Sequence, residues 1–207
     1  TVLPGINTTR LHQRGEALAR RYLPTVKQAG TPRVYKRFLS GITPRGIVHF
    51  AHTPPALLSK SPAPTYVVLH DSYGLAPFML GPVLEKAQAT GQTVYACYDP
   101  LNPAKLEHLI FPALGLAFLS TPFGPPPGIP ARNLRLDAAV DPELLKRHRN
   151  CLKALFKARQ ALIEEAVECL AEALKEHDKL ESLYSPATNF RALDHLAESL
   201  SDRFSLA

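Results

Sequence analysis

Thr65-Tyr66-Val67-Val68-Leu69-His70-Asp71-Ser72-Tyr73-Gly74-Leu75-Ala76-Pro77-Phe78 is the stretch on which the reading of the fold turns. Its first six residues are a β-branched, apolar run of the length of a buried strand. The spacing then predicts a helix from Phe78 to Thr90, closed by Gly91 in the position where a left-handed residue ends a helix. Thr93-Val94-Tyr95-Ala96-Cys97-Tyr98 reads as a second apolar strand, ended by Asp99-Pro100. A short helix is expected near Pro103 to His108, and Leu114-Gly115-Leu116-Ala117-Phe118-Leu119 as a third strand. Strand, helix, strand, helix, strand at this spacing predicts an α/β fold with a small parallel sheet and right-handed crossovers. Ligands of such sheets bind at the carboxyl ends of the strands. Three loops therefore draw attention: His70 to Pro77, Tyr98 to Pro103 and Ser120 to Pro130. The last is proline-rich and reads as a stiff structural strap.

Proline and glycine divide the chain. Of 20 prolines, 19 lie at or before Pro142, and no glycine follows Gly128. The last third is therefore nearly free of helix breakers. There, Leu145, Leu152, Leu155, Phe156, Leu162, Ile163, Val167, Leu170, Leu174 and Leu180 recur at three- and four-residue steps. That is the apolar stripe of a long amphipathic helix from Pro142 to Tyr184. Asp141-Pro142 suits its start and Pro186 its end. Asn189 is placed to cap a second helix carrying Phe190, Leu193, Leu196, Leu200 and Phe204. The pair reads as a helical hairpin or stalk. Before the central region, Thr9 to Leu23 is expected to be helical, a prolyl loop follows, and Gly46 to Phe50 looks like a short strand. The expected organisation is a helix and linker over 1–32, an α/β domain over 33–140 and a helical hairpin over 141–207.

Composition bounds the function. The chain has 207 residues, 45% hydrophobic and 20% charged, which excludes wholesale disorder. No apolar run approaches the length that spans a bilayer, and no secretory stretch opens the chain. The first residue, Thr1, is not Met, as expected of a processed or truncated piece of a longer protein. Cys97, Cys151 and Cys169 form no CxxC pair, which argues for a reducing, cytoplasmic setting and against a thiolate zinc site. The formal charge is +6, and Arg10 to Arg45 holds nine Lys/Arg against the single acid Glu16. Such a stretch can bind phosphate, RNA or an acidic partner, or be a solvated helix face with basic loops. Only Tyr22, Tyr35 and Phe38 accompany it, in no nucleic-acid module, so the solvated face is the expectation.

A phosphate-binding P-loop after the first central strand would read GxxxxGK[ST]. Its backbone N–H groups and lysine neutralise phosphate, and its hydroxyl binds magnesium. Here Ala76 and Pro77 fall at the Lys and Ser/Thr places, Pro77 lacks a backbone donor, and Asp71 brings negative charge into the loop. Phe38-Leu39-Ser40-Gly41-Ile42-Thr43-Pro44-Arg45-Gly46-Ile47-Val48 nevertheless resembles the "F-x-x-A/G-x-T-P-x-G-x-V" lead-in of a bacterial family of tandem P-loop ATPase-like proteins. The resemblance continues in Tyr95 to Pro100 (the "DP" loop), in Leu109 to Leu114 (an "IIPEL"-like lead), and in Leu174 to Tyr184 with Asn189-Phe190 and Leu193-Asp194 (the "HDELE-x-x-Y" ending). It covers most of the chain, as one half of such a protein. It implies a P-loop NTPase fold with ATP and magnesium as ligands. The Walker A place is His70 to Phe78 without its lysine, and Ser120 stands where the third strand should end in an aspartate. The two departures imply a pseudo-ATPase with hydrolysis absent and nucleotide binding weakened or lost. The candidate ligand-binding residues are His70, Asp71, Ser72, Tyr73, Gly74, Asp99 and Ser120. No catalytic residue or metal ligand is assigned.

Other readings of the same residues compete. His70 to Gly74 invites an α/β-hydrolase reading with Ser72 as nucleophile and His70 or His108 as base, but no G-x-S-x-G elbow occurs in the chain. His49, His52, His70 and Asp71 invite a metal, yet a tetrahedral set is not evident. Asp99 is placed either to line a pocket or to cap the turn before Asn102. Cys97 reads as a small core residue, and His177 and Asp178 as a solvated face. The functional alternative is an interaction or scaffold module, with a protein partner or self-association through the C-terminal helices. Nucleic acid and membrane are not expected as partners.

Overall fold

The computed structural model describes residues 5–25, 32–61, 63–121 and 123–204. Part of the prolyl linker, with Lys27 of the basic stretch, lies outside them. The apolar run at the centre forms strand β4 (Thr65–His70), buried on both faces from Tyr66 to Leu69. It lies between β7 and the edge strand β8, second from one end of a six-stranded sheet of order β1-β5-β6-β7-β4-β8. The other strands are β1 (Val34–Arg37), β5 (Val94–Asp99), β6 (Asn102–Phe111), β7 (Leu116–Ser120) and β8 (Ala131–Arg135). β4 pairs in parallel with β7 and β8, and β5 with β1. β6 runs antiparallel to both β5 and β7. The sheet is therefore mixed, not parallel as expected.

The error has a local cause. Asn102-Pro103 looks like a helix start, but Lys105-Leu106-Glu107-His108-Leu109 alternates with period two, and the stretch is strand β6 instead of a short helix. Asp99 pairs with Asn102 across a tight turn, so β5 and β6 make a hairpin whose register slips at Tyr98 and Asp99. Strand β8 also escaped the sequence reading, since the prolines around it mask a short edge strand. Two short strands, β2 (Ser40–Thr43) and β3 (Gly46–His49), form a separate hairpin, and α2 (Thr53–Leu58) follows.

One face of the sheet is covered by α1 (Thr8–Tyr22) and α3 (Ala76–Ala89). Asn7 caps α1, its side chain accepting from Arg10 N–H at 2.8 Å. Leu11, Leu18, Met79, Leu80 and Val83 fill the space against Val67, Leu69 and Phe118. The opposite face carries Tyr66, Cys97, Ile110, Ala117 and Leu119 under Leu39, Leu58 and Phe123. Alternate residues of β4 thus serve alternate cores.

Contacts divide the chain into two compact units: Thr1–Ile42 with Ile47–Arg159, and Thr43–Gly46 with Gln160–Ala207. The expected single helix after Asp141 is two, α4 (Pro142–Arg147) and α5 (Arg149–Tyr184), interrupted at His148. Asp141 caps the first by accepting from Glu143 N–H at 2.9 Å. A turn through Pro186 and a cap from Asn189, which accepts from Ala192 N–H at 3.1 Å, complete a C-terminal helical hairpin with α6 (Phe190–Phe204). Among the described residues, no helix is long and apolar enough to cross a membrane.

Candidate functional site

Strand β4 ends at His70, and Asp71 to Leu75 turn the chain into α3. A helix start offers unpaired backbone N–H groups and a partial positive charge, which together attract an anion. The anion at this one is the protein's own. The Asp71 carboxylate accepts from Tyr73 N–H (3.2 Å), Leu75 N–H (2.8 Å) and Ala76 N–H (2.8 Å). A second carboxylate, Asp137 in the turn after β8, accepts from Ser72 N–H at 2.9 Å and from the Ser72 hydroxyl at 2.6 Å. Four backbone donors of one loop are thereby committed to side chains of the same chain. Gly74 sits at φ +74°, a left-handed conformation that favours glycine, and a Cβ there would press on Lys105 Cε at 3.0 Å.

Lys105 is the residue that the sequence reading missed. It arrives from β6, with its aliphatic stem against Gly74, and its ammonium binds Asp99 Oδ2 at 3.1 Å and Glu107 Oε1 at 2.8 Å. Burial alone would lower the Lys105 ammonium, but the hydrogen bonds to Glu107 and Asp99 outweigh it and hold the pKa above its usual value. Asp99 also accepts from Leu101 N–H at 2.9 Å, so it caps the hairpin turn and pairs with the lysine. The period-two alternation of Lys105 and Glu107 with Leu106 and His108 was the signal available for this cluster.

His108 and Ser120 close the site from below. His108 Nδ1 accepts from Ser120 N–H at 2.9 Å, and the Ser120 hydroxyl donates to Glu107 O at 2.9 Å. Burial, with Lys105 nearby, pushes the His108 imidazole down to about 3, so it is neutral. His70 leaves the loop in the other direction: its Nε2 lies 2.9 Å from Asn133 Oδ1 on β8, and Tyr73 is exposed.

The carboxyl ends of β4, β5 and β7 and the start of β6 thus bring Asp71, Ser72, Gly74, Asp99 and Ser120 to one edge of the sheet. His70 and Tyr73 flank the loop without sharing its hydrogen bonds, apart from the Tyr73 backbone. No hydrogen bond joins Ser72 to His70 or His108, so the nucleophile–base pair of the hydrolase reading is not assembled. Cys97 is buried in the core, its thiol pushed up to about 12 by burial. Among the described residues, the only side chains grouped closely enough for a metal ion are His177, Asp178 and Glu181, all exposed on one helix.

Fold and site together define an α/β domain with a mixed sheet, a C-terminal helical hairpin and an anion-type loop filled by its own carboxylates. Set against family models, curated proteins and solved structures, the chain matches none.

Proposed function

We propose that the chain is a degenerate P-loop ATPase-like domain, in which an internal carboxylate has taken the place of the nucleotide phosphate and hydrolysis is absent. The observation that supports this reading most is the Asp71 carboxylate on three backbone N–H groups at the start of α3. Those donors are what a phosphate cradle would use. The cation nearest the loop, Lys105, is already shared by Asp99 and Glu107, so a dianionic phosphate would meet net negative charge there.

Titration calorimetry with ATP, ADP and GTP, each with and without magnesium, tests the reading. No heat of binding is expected up to millimolar nucleotide. The Asp71→Ala chain, with its donors vacated, is expected to take up inorganic phosphate weakly where the parent does not. Micromolar binding of a nucleotide to the parent chain would sink the proposal.

A second reading is favoured by a separate observation. Leu162, Leu170 and Leu174 of α5 and Phe190, Leu193, Leu196 and Leu200 of α6 are all exposed, so the hairpin carries unburied apolar surface. In this reading the sheet domain is a support, and the hairpin docks a partner or a second copy of the chain.

A further inference from the structure

We infer that the cleft between α1 and the edge strand β8 receives an extended acidic peptide, which adds as a strand to β8. The cleft has a volume of about 300 Å³ and is lined by Arg14, Ala17, Leu18, Arg21, Arg132 and Leu134. Half of that lining is guanidinium-bearing, and none of it is carboxylate. Among the described residues, neither Arg14, Arg21 nor Arg132 pairs with an acid. Arg14 is held in place by donating to Arg135 O at 3.3 Å, and Arg21 lies over the Tyr22 ring at 5.4 Å. Glu16, the one acid of α1, turns away to Arg20 and His12. Three cations are therefore left uncompensated around one concave surface.

The geometry selects an extended chain. Asn7 N–H donates to Ala139 O, and Arg14 reaches Arg135 O, so α1 runs antiparallel to β8 along the cleft. Arg14 and Arg21 are two helical turns apart, about 10 Å, on one face of α1. Arg132 and Leu134 face them from alternate positions of β8. β8 is the last strand of the sheet, and among the described residues its outer edge has no strand partner. Leu136 N–H donates to His70 O. By alternation, the backbone groups of Ala131 and Asn133 then point away from β4, toward an incoming strand. An added strand would satisfy them, with acidic side chains toward the arginines and apolar ones over Ala17, Leu18 and Leu134. A single-stranded nucleic acid would need stacking platforms, and no aromatic ring lines the cleft.

Fluorescence anisotropy of the full chain with labelled Glu-Val-Glu-Leu-Glu-Thr-Glu tests the inference. Saturable binding is expected, weakened roughly tenfold or more by Arg132→Glu or Arg21→Glu, which alter exposed side chains and leave the fold intact. The Gln-for-Glu peptide, and a peptide N-methylated at alternate residues, are both expected to bind at least roughly tenfold more weakly, having lost charge and strand pairing respectively. No saturable signal at millimolar peptide would overturn the inference. So would equal binding of the N-methylated peptide, or displacement by tripolyphosphate or single-stranded RNA at concentrations as low as the acidic peptide needs.

Discussion

His108 is neutral in the folded chain because burial and the neighbouring Lys105 and His49 oppose its protonation and outweigh Asp99 and the Glu107 carboxylate 3.8 Å from Nε2. An unfolded histidine takes up its proton near pH 6.5. The folded pKa is depressed, so the neutral ring stabilises the fold fully above about pH 6.5, and that stability drains away as pH falls towards about 3. Urea unfolding of the parent and of His108→Gln, compared from about pH 6 to about pH 4, should show the parent losing up to about 1.4 kcal/mol per pH unit more than the variant. Parallel stability curves would refute this. The residue types around the loop were legible in the sequence, and so was the negative charge that Asp71 brings into it. That Asp71 itself occupies the donors was not, because it depends on loop torsions that no residue pattern encodes.

Among the elements, the crossing of α1 and α3 is the most demanding. A Cβ on Gly15 would collide with the Met79 carbonyl, which is backbone and cannot step aside. Gly15→Ala should therefore destabilise the chain by about 1–3 kcal/mol, despite alanine's better helix propensity. A thermal melt unchanged from the parent would show that the two helices have room to part. Helices α1 and α6 were read closely: α1 was expected over Thr9 to Leu23 and spans Thr8–Tyr22, and the cap at Asn189 is formed. Their apolar spacing and caps are local signals. β6 was misread because its polar positions face the site instead of the core, which leaves its first half without an apolar run. With β6 went Lys105, the residue that ties the β5–β6 hairpin to the loop.

For the molecule as a whole, charge and apolar surface are unevenly shared. Residues 1–141 hold 14 Lys/Arg against 7 Asp/Glu, and residues 142–207 hold 10 against 11. The basic excess includes the arginines of the α1–β8 cleft, while the apolar excess sits on the hairpin. If the hairpin associates with a second copy, sedimentation velocity should show concentration-dependent association that Leu193→Glu with Leu196→Glu abolishes. A parent chain that sediments as a monomer at every concentration would remove self-association.

The amino-acid sequence by itself determined the α/β class, the strand β4 and its loop, and the helical character of α4, α5 and α6. These follow from runs and periodicities that act over a few residues. The tertiary structure alone decided that β6 enters the sheet antiparallel, that β8 forms its edge beside α1, and that Asp137 and Lys105 reach the loop from distant positions. Those outcomes depend on which strands bury each other's faces and which charges find partners, and such pairings are set by contacts between segments far apart in the chain.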